Sequence, residues 1–210
     1  MKWHDVEQTE DSEWMDLRMG KVGGSSIGKV MANYGKAFGN PAHDVALKIA
    51  LEKITKIRQE NSYSNGHMER GHEQEPIART LYEEKMFCDV TNGGFYDCSE
   101  YEGVSPDGLV SNDGLIEIKS VIGSRHFATV KRNSYDPAYK WQLIFNLKCS
   151  GRKWIDYVEY SSDFPNDKQL FIQRLTFDSC ADEIGMLDTR MIEFKNIIAD
   201  KIKLIEQLKS

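Results

Sequence analysis

No apolar run in this sequence approaches the ~18 residues that span a bilayer. The opening Met1-Lys2-Trp3-His4-Asp5 has no apolar core of the signal-peptide kind. Both absences set the expectation of a cytoplasmic protein. Proline is scarce at 5 residues and glycine an ordinary 16, which excludes collagen-like and low-complexity chains. The four cysteines, Cys88, Cys98, Cys149 and Cys180, include no C-x-x-C pair, so a zinc ribbon or thioredoxin-type motif is not expected. Thiols this far apart leave an iron–sulfur cluster open, with reduced, partly buried cysteines the simpler reading. His72-Glu73-Gln74-Glu75-Pro76 lacks the second histidine of a zinc-protease helix.

What is present describes an ordinary globular chain: 210 residues, 40% hydrophobic, 29% charged, with 22 aromatics. A chain of this length buries roughly 70% of its unfolded surface, enough for a full core without staples. Its net charge of −6 argues against generic nucleic-acid binding, but the charge is unevenly spread. Ser124 to Lys153 holds seven Lys or Arg against one acid, Asp136, whereas Asp97 to Ile118 holds six acids and no Lys or Arg. Such neighbours are either two solvated faces or a carboxylate metal site beside a phosphate-binding surface.

The pattern of elements predicts α/β (α+β) architecture: a helical part over 1–87, a mixed sheet over 88–178 flanked by helices, and a C-terminal helix over 179–210. Asp11 or Ser12 can cap a short helix carrying Trp14, Leu17 and Arg18, and Gly23-Gly24-Ser25-Ser26 opens a second. A third runs from His43 to about Arg58, with Val45, Leu47, Ile49, Ile54 and Ile57 as its partly buried face. After a polar turn at Asn61–Gly66, a fourth extends from His67 to Met86 and either kinks or breaks at Pro76. Asn92-Gly93-Gly94 and Asn112-Asp113-Gly114 read as hairpin turns between strands near Gly94–Asp97, Gly108–Val110 and Leu115–Ser120. Pro137 starts a further helix, Lys153–Tyr160 and Leu170–Phe177 are strands, and Ile184, Leu187, Met191, Phe194 and Ile198 stripe the last helix.

The chemistry concentrates between Ser105 and Ser120. On a strand, Glu117 and Lys119 share one face, about 6.6 Å apart, while Ile116 and Ile118 point the other way into packing. The Asn112-Asp113-Gly114 turn folds Asp107 back towards Glu117. Two carboxylates and a backbone carbonyl form an oxygen-rich site of the type Mg²⁺ prefers. A neighbouring ammonium can stabilise a nucleophile or a phosphate charge. A surface hairpin with a Glu–Lys pair would read the same way.

Pro106-Asp107…Glu117-Ile118-Lys119 resembles the PD-(D/E)-x-K nuclease signature, and its context resembles the phage lambda-type recombination exonucleases and their alkaline-exonuclease relatives. Four blocks carry this resemblance in order: Trp14 to Gly20 with Gly24-Ser25, Gly71 to Arg79, Ser105 to Lys119, and Tyr139 to Leu143. The resemblance implies that Asp107, Glu117, the Ile118 carbonyl and Glu75 bind catalytic Mg²⁺, with Mn²⁺ a possible substitute. Lys119 would assist the attacking water and Gln142 would reach the site. Arg18, Ser25 and Ser105 would hold a 5′-terminal phosphate, and Arg125, Lys131 and Arg132 would track the DNA backbone. It also implies 5′→3′ digestion of double-stranded DNA ends to 3′ overhangs, a ring-shaped homotrimer and a single-strand annealing protein as partner. Gly23-Gly24 departs from the bulkier residues usual before the serine. A different nuclease of the same superfamily, endonuclease or resolvase, and a non-catalytic DNA-binding module are the alternatives.

Overall fold

The computed structural model describes residues 1–9, 13–59 and 66–208, so the predicted cap at Asp11 or Ser12 and the turn at 61–65 lie outside the described residues. A short α1 (Glu13–Arg18) ends at Gly20, whose φ of +72° needs glycine. The second helix, α2 (Gly24–Met31), starts where Gly23 donates its N–H to Ser26 Oγ at 3.1 Å. Third in order, α3 (Asn40–Thr55) begins earlier than predicted, with Pro41 in its first turn. Its buried side is Ala42, Ala46, Ile49 and Ala50, while Leu47, Ile54 and Ile57 are exposed. Ile49 and Val45 of the expected stripe do face the core, but small alanines fill the rest of that side and let neighbouring elements approach closely. Then α4 (Gly66–Met86) runs through Pro76 without a break.

Five strands form the central sheet, β2 (Val90–Thr91), β5 (Gly108–Val110), β6 (Gly114–Ser120), β7 (Trp154–Tyr160) and β8 (Leu170–Thr176), adjacent in that order. Only β6 and β7 run parallel. A smaller sheet joins β1 (Lys2–His4), β3 (Phe95–Ser99) and β4 (Glu102–Val104). Asn112-Asp113-Gly114 closes the β5–β6 hairpin as predicted, but Asn92-Gly93-Gly94 passes from one sheet to the other instead of forming a hairpin. The crossover from β6 to β7 contains α5 (Gly123–Arg132), a single 3₁₀ turn at Pro137–Tyr139, and α6 (Lys140–Ser150). The helix predicted from Pro137 thus begins properly at Lys140. The last helix, α7 (Ala181–Glu206), buries Leu187, Met191, Phe194 and Ile198, the expected stripe. No helix among the described residues is long and apolar enough to cross a membrane.

Two hydrophobic clusters form, one on each face of β6. Ile116 and Ile118 pack with Ala78 and Tyr82 of α4, Val110, Val158 and Tyr160. On the other face, Leu115, Ile155 and Tyr157 pack with Ile27 of α2, Leu143, Ile144, Phe145 and Leu147 of α6, and Leu187 and Phe194 of α7. The alternation of β6 therefore sends its isoleucines to one cluster and Glu117 and Lys119 towards the other.

Candidate active site

Asp107 stands just before β5, where its N–H donates to Ile116 O at 3.1 Å. Its Oδ2 accepts the Ile118 N–H at 2.6 Å, so the carboxylate caps the strand beyond the end of the hairpin ladder. The Pro106-Asp107 turn is braced from behind. Gln8 Nε2 donates to Pro106 O at 2.7 Å, and a Cβ on Gly93 would lie 1.8 Å from that oxygen. Glycine at 93 is required by this close approach, not by a hairpin.

Glu117 is only 1% exposed and is held by both side chains and fold. Its Oε1 accepts from Lys119 Nζ at 2.5 Å and from Gln142 Nε2, and its Oε2 accepts from Asn146 Nδ2 at 2.8 Å. Gln142 and Asn146 lie one turn apart on α6, so one helix face supplies a donor to each carboxylate oxygen. Gly24 explains the departure noted in the sequence. A Cβ there would stand 3.2 Å from Gln142 Cγ, and glycine lets α2 approach α6. The Lys119 ammonium sits 5.3 Å from the Tyr139 ring centre.

Burial, and then the charge of Asp107, push the Glu117 carboxyl up to about 7. Burial likewise raises Asp107, against the pull of Lys119, the Ile118 N–H and Arg79. Burial opposes the charge on Lys119, but Glu117 and Asp107 outweigh it and hold the ammonium above the ordinary lysine value.

Two cavities meet at this point. One, of about 350 Å³, is lined by Glu75, Asp107, Ile118, Lys119, Arg125 and Tyr139 among others. The second, of about 370 Å³, is lined by Gly24, Ser25, Gly28, Lys119, Ala138, Tyr139 and Gln142. Lys119 and Tyr139 are common to both walls.

The structure therefore brings Asp107, Glu117, Ile118, Lys119 and Gln142 together as the sequence suggested. Glu75 faces the same cavity but does not complete an acidic cluster: among the described residues, no three His, Cys, Asp or Glu group closely enough to share an ion. The reason is topological. Glu75 rides on α4 and Glu117 is held from α6, on opposite faces of β6, and Glu75 pairs with Arg79 at 3.7 Å. The same observation counts against the iron–sulfur reading, since the four cysteines do not gather into a group that could hold a cluster. Arg18 and Ser105 are linked through Trp14, whose ring lies 4.1 Å under the guanidinium and whose N–H donates to Ser105 Oγ at 2.6 Å. Both lie outside the cavity walls, whereas Ser25 opens onto the second cavity. Burial lowers the Arg18 pKa, with Glu52 opposing. Arg125 is exposed on the first cavity, with exposed Lys131 and Arg132 in the last turn of α5. Sequence reasoning missed Asn146, four residues after Gln142. It also missed Arg79, which donates to the Asp107 carbonyl.

The residues fit a divalent cation. Burial raises the proton affinity of both carboxyls, and the charge of Asp107 raises that of Glu117 further, the strain a positive ion relieves. Ile116 and Ile118 turn their backbones to the same strand edge, and β5 ends before Ile118, so the Ile118 carbonyl lines the cavity. The donor set is all oxygen, as Mg²⁺ or Mn²⁺ prefers.

Residues 13–153 match the YqaJ-like viral recombinase domain, more than half of the chain. The chain belongs to that family. Among solved structures, an alkaline exonuclease from Laribacter hongkongensis, LHK-Exo, is similar to this recombinase-family chain at 30% identity. It superposes with a TM-score of 0.78 over 94% of this chain and 99% of its own. The LHK-Exo complex with dAMP gives 31% identity and a TM-score of 0.79 over the same shares. A phage-related exonuclease from Haemophilus somnus 129PT, 14% identical, shares the fold with a TM-score of 0.60 over 90% of this chain and 96% of its own. Among curated proteins none matches the chain.

Proposed function

We propose that this recombinase-family chain is a Mg²⁺-dependent exonuclease that degrades one strand of duplex DNA from its 5′ ends, leaving 3′ single-strand tails. The observation that carries this reading is the pairing of Asp107 with the buried Glu117 carboxylate against Lys119, at the meeting of two cavities. Its membership of the recombinase family and its likeness to an alkaline exonuclease support DNA as the substrate.

Asp107, Glu117 and the Ile118 carbonyl would hold Mg²⁺ or Mn²⁺. An ion bound there supplies a nucleophile at neutral pH and charge neutralisation on a phosphodiester. Lys119 orients the attacking water and opposes charge developing on the phosphate oxygens. Gln142 fixes the Glu117 carboxylate, and Tyr139 covers the lysine. Glu75, across the first cavity, faces the substrate from the α4 side. Arg125, Lys131 and Arg132 follow the DNA backbone outward along α5. Ser25, at the start of α2, offers its hydroxyl and first-turn N–H groups to a 5′-phosphate, with Arg18 and Ser105 as its further ligands. A homotrimeric ring would gather the basic windows of three copies around one duplex, which is how an acidic chain holds DNA. The 3′ tails would pass to a single-strand annealing protein.

The test is digestion of linear against covalently closed circular duplex, with Mg²⁺ or with EDTA. Only linear DNA with Mg²⁺ should be degraded, and end-labelled strands should shorten from the 5′ end. Equal cutting of closed circles would favour an endonuclease, and no cutting a binding module.

A further inference from the structure

The helix that follows the Lys119 strand has its polarity inverted. On α5, His126 and Thr129 are buried, while Phe127 and Val130 are 59% and 46% exposed. A buried polar face is costly unless it is fully hydrogen-bonded. Here His126, 0% exposed, has Nδ1 3.1 Å from Glu159 Oε1 and Nε2 3.0 Å from the Lys168 carbonyl. A carbonyl and an ionised carboxylate accept only, so this geometry favours the imidazolium, which offers a hydrogen to each. Glu159 is also buried. Its Oε2 accepts from Thr129 Oγ1 at 3.1 Å and from Tyr157 Oη at 2.5 Å. The Phe164 ring closes the His126 pocket edge-on at 4.7 Å. Asp163 binds the Gly123 N–H at the helix start, at 2.7 Å.

The network ends at the catalytic strand. Glu159 pairs in register with Lys119, and Tyr157 with Glu117, on adjacent parallel strands whose paired side chains share a face. The Tyr157 ring lies 5.8 Å from that of Tyr139, which covers Lys119. The neighbour of His126 on the helix is Arg125, in the wall of the first cavity.

We propose that His126 is a positioning residue, whose ion pair with Glu159 clamps α5 to β7 and so holds Arg125 over the cavity containing Asp107 and Lys119. The inference rests on the DNA-tracking role proposed for Arg125. Glu159 and Tyr157 from β7 and the Lys168 carbonyl face the ring. Burial works against the imidazolium, but its bonds to Glu159 and the Lys168 carbonyl outweigh it and raise its pKa. Proton loss as pH rises through that raised pKa therefore breaks one of two anchors.

The experiment is duplex binding by the full chain in EDTA, followed by fluorescence anisotropy across pH and salt, with thermal melts in parallel. His126→Asn and Glu159→Gln should each weaken binding about tenfold and flatten the logarithmic salt dependence by about 1 to 3, the share of Arg125, Lys131 and Arg132. The double variant replaces an ion pair with an amide pair. It should regain most of the affinity and lose the wild-type decline at high pH. Thr129→Val, which removes one hydroxyl from Glu159, should give a milder loss of the same kind. In an Arg125→Ala background, His126→Asn should add little. Single variants with wild-type affinity and salt slope would overturn the inference, as would full additivity with Arg125→Ala. A wild type that binds no duplex would instead defeat the proposed function.

Discussion

In EDTA at pH 8, replacing Asp107 with asparagine should make the protein more stable while abolishing cleavage. Glu117 is raised from 4.5 to about 7, by burial first and by Asp107 second. At about 1.36 kcal/mol per tenfold change in proton affinity, this carboxylate costs the metal-free fold about 3 kcal/mol once ionised. The sign follows from linkage: a folded pKa above the unfolded one gives stability that is complete below 4.5 and lost as pH rises through 7. At pH 8 the whole penalty is present. Asp107→Asn keeps an oxygen for the Ile118 N–H and leaves the main-chain carbonyl to Arg79, but removes the like charge. The recovery should be about 1–2 kcal/mol, a rise in Tm of about 2–8 °C for a chain of this size. Thermal unfolding in EDTA at pH 8 and pH 5, with digestion of linear duplex in Mg²⁺, tests both halves. The gain should shrink at pH 5, where the wild-type pair shares protons, and Mg²⁺ should reverse the order by stabilising only the wild type. An unchanged or lower Tm at pH 8, or a gain equally large at pH 5, would refute the reasoning.

Lys119→Ala should lose turnover far more than DNA affinity, because one ammonium adds little among many phosphate contacts; single-turnover cleavage at saturating DNA measures this. Asn146→Leu, which removes the donor on Glu117 Oε2 at nearly constant volume, should lower kcat about tenfold or more. It should also weaken Mn²⁺ binding in calorimetry and lower Tm somewhat through the unpaired Glu117 oxygen, whereas a purely structural role would lower Tm without changing kcat or Mn²⁺ binding. Duplexes with 5′-phosphate ends should be degraded roughly 10- to 150-fold faster than 5′-hydroxyl ends, from ~1.5–3 kcal/mol of charge-assisted contact. Arg18→Ala should erase most of that difference. Light scattering should report a trimer of the 24.1 kDa chain, and a fully processive monomer would remove the ring.

Strand β6 was legible because its side chains alternate cleanly: Ile116 and Ile118 are buried on one face, and Glu117 and Lys119 turn to the other. Helix α5 was not legible, since His126 and Thr129 face inward and Phe127 and Val130 outward, the reverse of the pattern that signals a helix. In α3 the buried side is mostly alanine, so of the larger apolar residues only Ile49 and Val45 marked the right face, and Leu47 and Ile54 the wrong one. The glycines at 93 and 94 imitate a hairpin, but at Gly93 the constraint is a distant carbonyl, that of Pro106. Gln142 was found through the family resemblance. Asn146 has no such signal, and only the fold brings it within 2.8 Å of Glu117. Glu75 was read as a partner of the two central carboxylates because linear order does not reveal which face of a sheet a helix covers.

Because β6 is the common wall of two separately packed clusters, the site has two handles that can be turned independently. Tightly packed interiors transmit a change in volume to their own neighbours, and distant substitutions without shared partners act additively. Enlarging Ala78 or trimming Tyr82 would shift α4, and with it Glu75 and Arg79, while Gln142 and Asn146 keep their grip on Glu117. Changes at Leu143 or Leu147 would do the reverse. The α4 side, which holds the Asp107 main chain through Arg79, and the α6 side, which holds the Glu117 carboxylate, can thus be retuned in separate small steps, without any substitution of Asp107, Glu117 or Lys119.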